Sequence, residues 1–319
     1  MANCLVTGGA GFIGSHIVEE LVRRNHRVRV FDNLSTGRQR NLAPVSKDIE
    51  FLRGDLRDLA AVRKAARDVC LIFHVGAIRA VERSVDDPFE TNDVNARGTL
   101  HVLLAARDEG AKRVIYSSSS AVYGESSHYP MRETDKPEPV SPYAVCKLMG
   151  EYHCRIFTEL YKLETVSLRY FNVFGPRQNP ESKYSMVIPM LIYRMIHGKS
   201  PEIHWDGKQT RDFHYIDSVV EANLLAAEAL AAVGQVCNIA SGEEHSVLDI
   251  FNEMKRILKK PSIRPCFKPK RPGDVRRTLG DSGKARKLLG FQVKTRFREG
   301  LEKTVEWFLE SGVLEGMRT

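Results

Sequence analysis

The spacing Gly8-x-x-Gly11-x-x-Gly14 lies between a short apolar run, residues 3–7, and an amphipathic pattern through Ile17, Val18, Leu21 and Val22. A strand that passes into a helix through three such glycines meets a narrow set of demands. The first glycine permits a tight turn, the second lets another group approach the backbone, and the third lets helix and strand pack closely. This predicts a βα unit, and the chain repeats it. Strand patterns follow at 27–31, 50–53, 70–73, 113–117 and 164–169, with helices near 58–67, 89–109 and 141–162. Strands and helices alternating in this way require parallel pairing, so the expected fold is α/β, a Rossmann-type doubly wound parallel sheet.

After Tyr170 the pattern loosens. Loops at 175–185 and 200–212 separate helices near 187–198 and 216–232, followed by a strand at 236–240 and helices at 247–259 and near 298–310. This reads as a smaller α/β C-terminal substrate lobe. The expected division is 1–172, with 213–240 returning to it, against 173–212 and 241–319.

Composition narrows the function classes. At 42% hydrophobic and 28% charged residues, the chain has enough apolar content for a folded core and is not a disordered polymer. No apolar run reaches the roughly 18 residues that span a bilayer. The start, Met1-Ala2-Asn3-Cys4, has no basic segment before its apolar run, so no secretory signal is expected. Six scattered cysteines, without a Cys-x-x-Cys pair, predict reduced thiols in a cytoplasmic protein and no metal site. The formal charge of +8 is dispersed among acids except at 268–277, where an anionic small substrate explains the cluster better than nucleic acid does.

The glycine turn opens a helix whose first N–H groups can meet phosphate. Asp32 ends the second strand pattern, and a carboxylate there accepts hydrogen bonds from ribose hydroxyls and repels a 2′-phosphate. The expected cofactor is therefore NAD rather than NADP, with Asn33, Ser35, Thr36 and Gly37 continuing the same lip. Asp55 and Leu56 follow the third strand, where they can face adenine; Asp55 alone also fits a helix cap. Tyr143 and Lys147 lie four residues apart at a helix start and so share a face. An ammonium beside a phenol favours the phenolate, which would serve as a general base. Taken alone, the pair also fits an ordinary amphipathic helix. The serine run Ser117–Ser120 ends a strand at the sheet edge where ligands bind in such folds.

Together these segments resemble the extended short-chain dehydrogenase/reductase family, the NAD-dependent epimerase/dehydratase group acting on nucleotide sugars. The likeness rests on Gly8-Gly-Ala-Gly-Phe-Ile-Gly14, Gly54-Asp-Leu56, Tyr143-x-x-x-Lys147, Leu168-Arg-Tyr-Phe-Asn-Val-Phe-Gly175 and Arg211-Asp-Phe-His-Tyr-Ile216. It implies bound NAD, with Phe12, Ile13, Val75, Gly76, Ala77, Asn92, Ser117 and Tyr170 added to the cofactor set and Lys147 on the nicotinamide ribose. It implies Tyr143 as base and Ser119 as its hydroxyl partner, with Ser118 as second choice. Sugar 4,6-dehydratases carry an Asp-Glu pair where this chain reads Ser119-Ser120-Ala121-Val122, so dehydration lacks its acid and base.

The stronger resemblance is to 4-epimerases of UDP-hexoses: UDP-glucose with UDP-galactose, and the type acting on UDP-N-acetylglucosamine. It implies a UDP-sugar held by Asn172, Gln178, Val187 and Arg211, with Arg271 and Asp274 gripping phosphates and ribose. Thr278 stands where a bulky Tyr excludes the N-acetyl group, and its small size implies relaxed specificity. Arg79 stands where the family varies between a small residue and Lys, and its cation can meet cofactor or sugar, or turn away. The alternatives are a nucleotide-sugar decarboxylase or other lyase of the same family, with Arg79 on a sugar carboxylate, and a non-catalytic NAD-binding or RNA-binding protein. Helices near 89–109 and 141–162 match the pair that makes a four-helix homodimer interface in relatives.

Overall fold

The computed structural model describes residues 1–180, 186–271 and 273–314. The first half alternates β1 (Asn3–Thr7), α1 (Phe12–Arg23), β2 (Arg27–Asp32), β3 (Ile49–Arg53), α2 (Leu59–Ala66) and β4 (Leu71–His74). Two short helices, α3 (Val81–Asp86) and α4 (Pro88–Asn92), precede α5 (Gly98–Asp108), β5 (Arg113–Ser119), α6 (Pro142–Tyr161) and β6 (Glu164–Tyr170). The second half holds β7 (Asn172–Phe174), α7 (Val187–Ile196), β8 (Glu202–His204), β9 (Thr210–Tyr215), α8 (Ile216–Glu228) and β10 (Val236–Ile239). It closes with β11 (Glu244–Ser246), α9 (Val247–Ile257), β12 (Cys266–Lys268), α10 (Gly283–Leu289) and α11 (Phe297–Glu310).

Seven strands form one parallel sheet in the order β10-β6-β5-β4-β1-β2-β3. The order reverses beside β1, which pairs with β2 on one side and β4 on the other. Ligands of such sheets bind in the crevice outside the strand C-termini at that reversal. Apolar strand residues bury against α1 and α8 on one face, around Ile17, Val18 and Val219, and against α2 and α5 on the other, around Val62, Val102 and Leu103. A separate core around Phe174, Leu191, Phe213 and Phe251 holds the second lobe. Its strands form a three-stranded sheet, β11-β9-β7, and a parallel pair, β12-β8.

Two expectations change. The single helix at 89–109 is α4 and α5 joined through π-helical Asp93–Arg97. The loop at 200–212 contains β8 and the start of β9; these are short strands whose partners lie far along the chain, so no local alternation marks them. Of the expected loop at 175–185, residues 181–185 lie outside the described residues.

Among the buried polar side chains that lack a partner, His214 stands out because both of its ring nitrogens do. His214 in β9 is 1% exposed, and neither ring nitrogen has a partner among the described residues. Burial pushes its pKa down to about 3, as it does for His74, and pushes His16 down to about 4. These side chains refuse a proton when folded and accept one near pH 6.5 when unfolded. The unfolded chain thus binds more protons below that pH, and stability falls as pH drops from about 6.5 toward 4. Denaturant titrations from pH 7 to pH 4 should show this decline. His214→Ile should add roughly 1–2 kcal/mol at pH 7 and flatten the slope; an unchanged slope would contradict the assignment.

Candidate active site

The cofactor side is built by the turn after β1. Gly8 has φ +66°, and a Cβ there would lie 2.6 Å from the Cα of Gly76, which follows β4. A Cβ on Gly14 would lie 2.2 Å from the Gly8 carbonyl oxygen. Both positions therefore require glycine, and together they leave backbone facing a cavity of about 260 Å³. Gly8, Gly11, Phe12, Ile13, Gly14, Asp32, Asn33, Ser35, Thr36, Gly37, Asp55, Leu56, Val75, Gly76, Ala77, Ser117, Tyr143, Lys147 and Tyr170 all line it. The Asp32 carboxylate accepts from Ala10 N at 3.0 Å and Leu34 N at 2.8 Å, while burial pushes its pKa up. Each oxygen keeps acceptor capacity toward the cavity. Asp55 accepts from Arg57 and Asn33, and the Arg57 guanidinium holds it well below the usual carboxylate range. The cap of α2 is Asp58, not Asp55. A glycine cradle at a helix N-terminus, with a carboxylate at its far end, fits a dinucleotide without a 2′-phosphate.

A second cavity of about 390 Å³ opens between the two lobes. Arg79, Ser118, Ser119, Asn172, Val187, Arg211, Arg271, Asp274 and Thr278 line it. Arg211 pairs with Asp274 at 3.0 Å, and Arg271 reaches across to Glu82 on α3 at 2.8 Å. Tyr143 lines both cavities, as do Phe12, Ile13, Arg79, Ser118 and Tyr170.

Local sequence explains why Tyr143 stands there. Ser141 caps α6 by accepting from Ala144 N, and Pro142 occupies its first turn. Lys147 lies one turn further along and donates from Nζ to the Ser117 carbonyl at 2.6 Å. Ser118 donates to Glu151, which forms a buried ion pair with Arg169 at 2.7 Å. The Ser118 hydroxyl is thus committed behind the site, whereas Ser119 lies beside the Tyr143 phenol.

The electrostatics differ from expectation. Burial holds the Tyr143 phenol above its ordinary value, opposed by the Ser119 hydrogen bond and the Arg79 charge. The Lys147 ammonium, 5.8 Å from the Tyr143 ring centre, is itself lowered to about 8 by burial. Lysine therefore does not bring the phenol toward neutrality in the protein alone.

Two of the expected site residues stand apart from these cavities. Asn92 is exposed and lines neither cavity. The π-helical turn instead brings Asn95 inward, where it bonds both N and O of Ile78 and shapes the cofactor loop. Gln178 is also outside the substrate cavity. Arg177 has φ +67°, the chain turns back, and Gln178 donates to Val173 O at 3.1 Å and accepts from Gly175 N at 3.4 Å. Sequence reasoning missed Asn95 and Glu82; an inward Asn shared the stretch with Asn92, but nothing in the sequence marked Glu82. Among the described residues no cluster of metal-binding side chains occurs, and no helix is long and apolar enough to cross a membrane.

Known proteins share this fold. A model of the NAD dependent epimerase/dehydratase family matches residues 4–240. A UDP-glucose 4-epimerase of Mycolicibacterium smegmatis is 38% identical over 308 residues, covering 95% of this chain and 97% of that one. The structure of a UDP-N-acetylglucosamine 4-epimerase from Methanobrevibacter ruminantium in complex with UDP-N-acetylmuramic acid superimposes with a TM-score of 0.92 at 38% identity, covering 97% and 99% of the two chains. A Thermus thermophilus UDP-glucose 4-epimerase in complex with NAD gives a TM-score of 0.89 at 35% identity, with the same coverage.

Proposed function

The chain belongs to the NAD-dependent epimerase/dehydratase family, and from that premise we propose that it inverts C4 of a UDP-hexose by transient oxidation, with NAD as its cofactor. The observation that carries this reading is the position of Tyr143, on the wall shared by the two cavities with Ser119 beside its phenol. The segment Ser119–Val122 has no carboxylate, which disfavours elimination of water.

In this reading the Gly8–Gly14 backbone would hold the pyrophosphate, Asp32 the adenosine ribose hydroxyls and Lys147 the nicotinamide ribose. NAD, when bound, would supply the hydride acceptor and donor for C4. Tyr143 accepts the C4 hydroxyl proton and later gives it back. Ser119 keeps the sugar oxygen in line, and Arg79 together with Ser119 favours the phenolate. Arg211 and Arg271 exchange their carboxylate partners for the diphosphate, since planar guanidinium groups suit phosphate oxygens. Asn172, Val187 and Asp274 complete the nucleotide grip while the 4-keto sugar turns over in the cavity. Thr278 lines the cavity with its hydroxyl 3.4 Å from Asn172 Oδ1, and its small size favours admission of an N-acetyl group. One methyl group of pocket shape shifts selectivity by only about 1–3 kcal/mol, so both plain and N-acetylated sugars are expected to turn over.

We assign 1–172 with 213–240 to the cofactor, and 173–212 with 241–319 to the nucleotide sugar; β10 joining the large sheet supports this division. A cytoplasmic setting suits the six free thiols. The exposed apolar stripe Val145, Met149, Tyr152, Ile156 and Leu160 on α6 supports a homodimer in which α5 and α6 of two copies form a four-helix bundle.

Proton NMR of the anomeric region should show UDP-glucose converting to UDP-galactose, and UDP-N-acetylglucosamine converting to its C4 epimer. Tyr143→Phe should lower kcat by about 10²–10⁴-fold; near-normal turnover would remove Tyr143 from its role. A UDP-sugar that lost CO₂ or water instead would favour the lyase reading. Ile156→Glu should yield a monomer by light scattering, and a dimer that persists would place the interface elsewhere.

A further inference from the structure

Lys147 is buried, and its ammonium donates to the Ser117 carbonyl but pairs with no carboxylate among the described residues. Glu151, one turn along α6, is taken up by Arg169 through bonds of 2.8 and 2.7 Å and by the Ser118 hydroxyl. Burial keeps the Cys146 and Cys154 thiols on the same helix protonated, and keeps His74 on β4 uncharged. It also pushes the Tyr143 and Tyr116 phenols up, so both stay neutral. A cation in these surroundings has given up hydration without gaining a counter-ion.

Two aromatic faces lie beside the ammonium. Nζ stands over the Tyr116 ring at 5.2 Å from its centroid and over the Tyr143 ring at 5.8 Å. A ring face attracts a cation within about 6 Å, most strongly where water is excluded. Tyr116 ends up behind the site: it is buried in β5 and lines neither cavity, whereas Lys147 faces the cofactor cavity. Its hydroxyl donates to the backbone carbonyl of Lys147 at 3.3 Å, and its ring leans against His74 with centroids 5.7 Å apart. The ring is thereby fixed beneath the ammonium.

We propose that Tyr116 is a positioning residue for Lys147: its ring face supplies the negative partner that the buried ammonium lacks, and keeps it charged and aimed at the cofactor cavity. The consequence for turnover rests on the reading of Lys147 as the contact of the nicotinamide ribose. The charge state of Lys147 does not rest on that reading and is measured separately.

NMR titration of the NAD-loaded protein, carrying lysine labelled with carbon-13 at Cε, reads that charge; Lys147→Arg identifies the resonance. Tyr116→Phe keeps the ring and should leave the midpoint within about 0.3 pH units of the wild type. Tyr116→Leu removes the ring and should lower the midpoint by about 0.5–1.5 units. A purely structural role predicts the opposite sign, because a loosened core admits water, restores hydration and raises the midpoint. A midpoint that rises in Tyr116→Leu, or stays within about 0.3 units, overturns the proposal. Pentafluorophenylalanine at position 116 decides if that variant does not fold. It keeps the shape of phenylalanine but reverses the charge pattern of the ring, so its midpoint should fall below that of Tyr116→Phe; equal midpoints overturn the proposal. Since the charged form is the one that serves, the alkaline limb of the rate profile should move to lower pH together with the midpoint. A midpoint that follows the ring in a protein without epimerase activity leaves this inference standing and removes the proposed function. An active enzyme whose midpoint ignores the ring loses this inference alone.

Discussion

The seating of α6 on β5 is the contact on which the site depends. Three consecutive serines at the end of β5 take three different tasks. The Ser117 carbonyl accepts the Lys147 ammonium, the Ser118 hydroxyl donates to Glu151, and Ser119 remains beside Tyr143. Gly150 lets the helix come close: a Cβ there would lie 2.2 Å from the Tyr116 hydroxyl oxygen. The buried Glu151–Arg169 pair then ties α6 to β6 as well. Removing one member of such a pair is costlier than the pair is stabilising, since it leaves a charge buried and alone. Helix and sheet are thus fixed in register at the point where Tyr143 must face both cavities.

The same burial that fixes the register sets the electrostatic problem. Desolvation raises the Tyr143 phenol and lowers the Lys147 ammonium, so neither group is primed by the other. Ser119 and Arg79 supply the opposing interactions within the protein. The substrate side follows a related logic. Arg211 and Arg271 are each held by a carboxylate, Asp274 and Glu82, which keeps their guanidinium groups paired until an anion competes for them.

Most of this was legible in the sequence where chemistry and periodicity coincide. The glycine turn, Asp32, Tyr143, Lys147, Arg211 and Arg271 were legible as a combination rather than singly, and the structure brings them to two adjoining cavities. The first six strands were legible because buried parallel strands read as apolar runs between amphipathic helices. The strands β7, β8, β11 and β12 have three residues each, too few to show a period, and they pair with distant segments. Asn92 and Gln178 stand apart from the cavities through backbone events that composition does not encode: a π-helical turn and a left-handed residue.

The central claim is that the hydrogen on C4 never leaves the site. Epimerisation of UDP-glucose in deuterated water, followed by NMR of the recovered UDP-galactose, tests it most directly. The account predicts no deuterium at C4 after many turnovers. Solvent deuterium at C4 would contradict direct return of the hydride and the enclosed two-cavity site built around Tyr143.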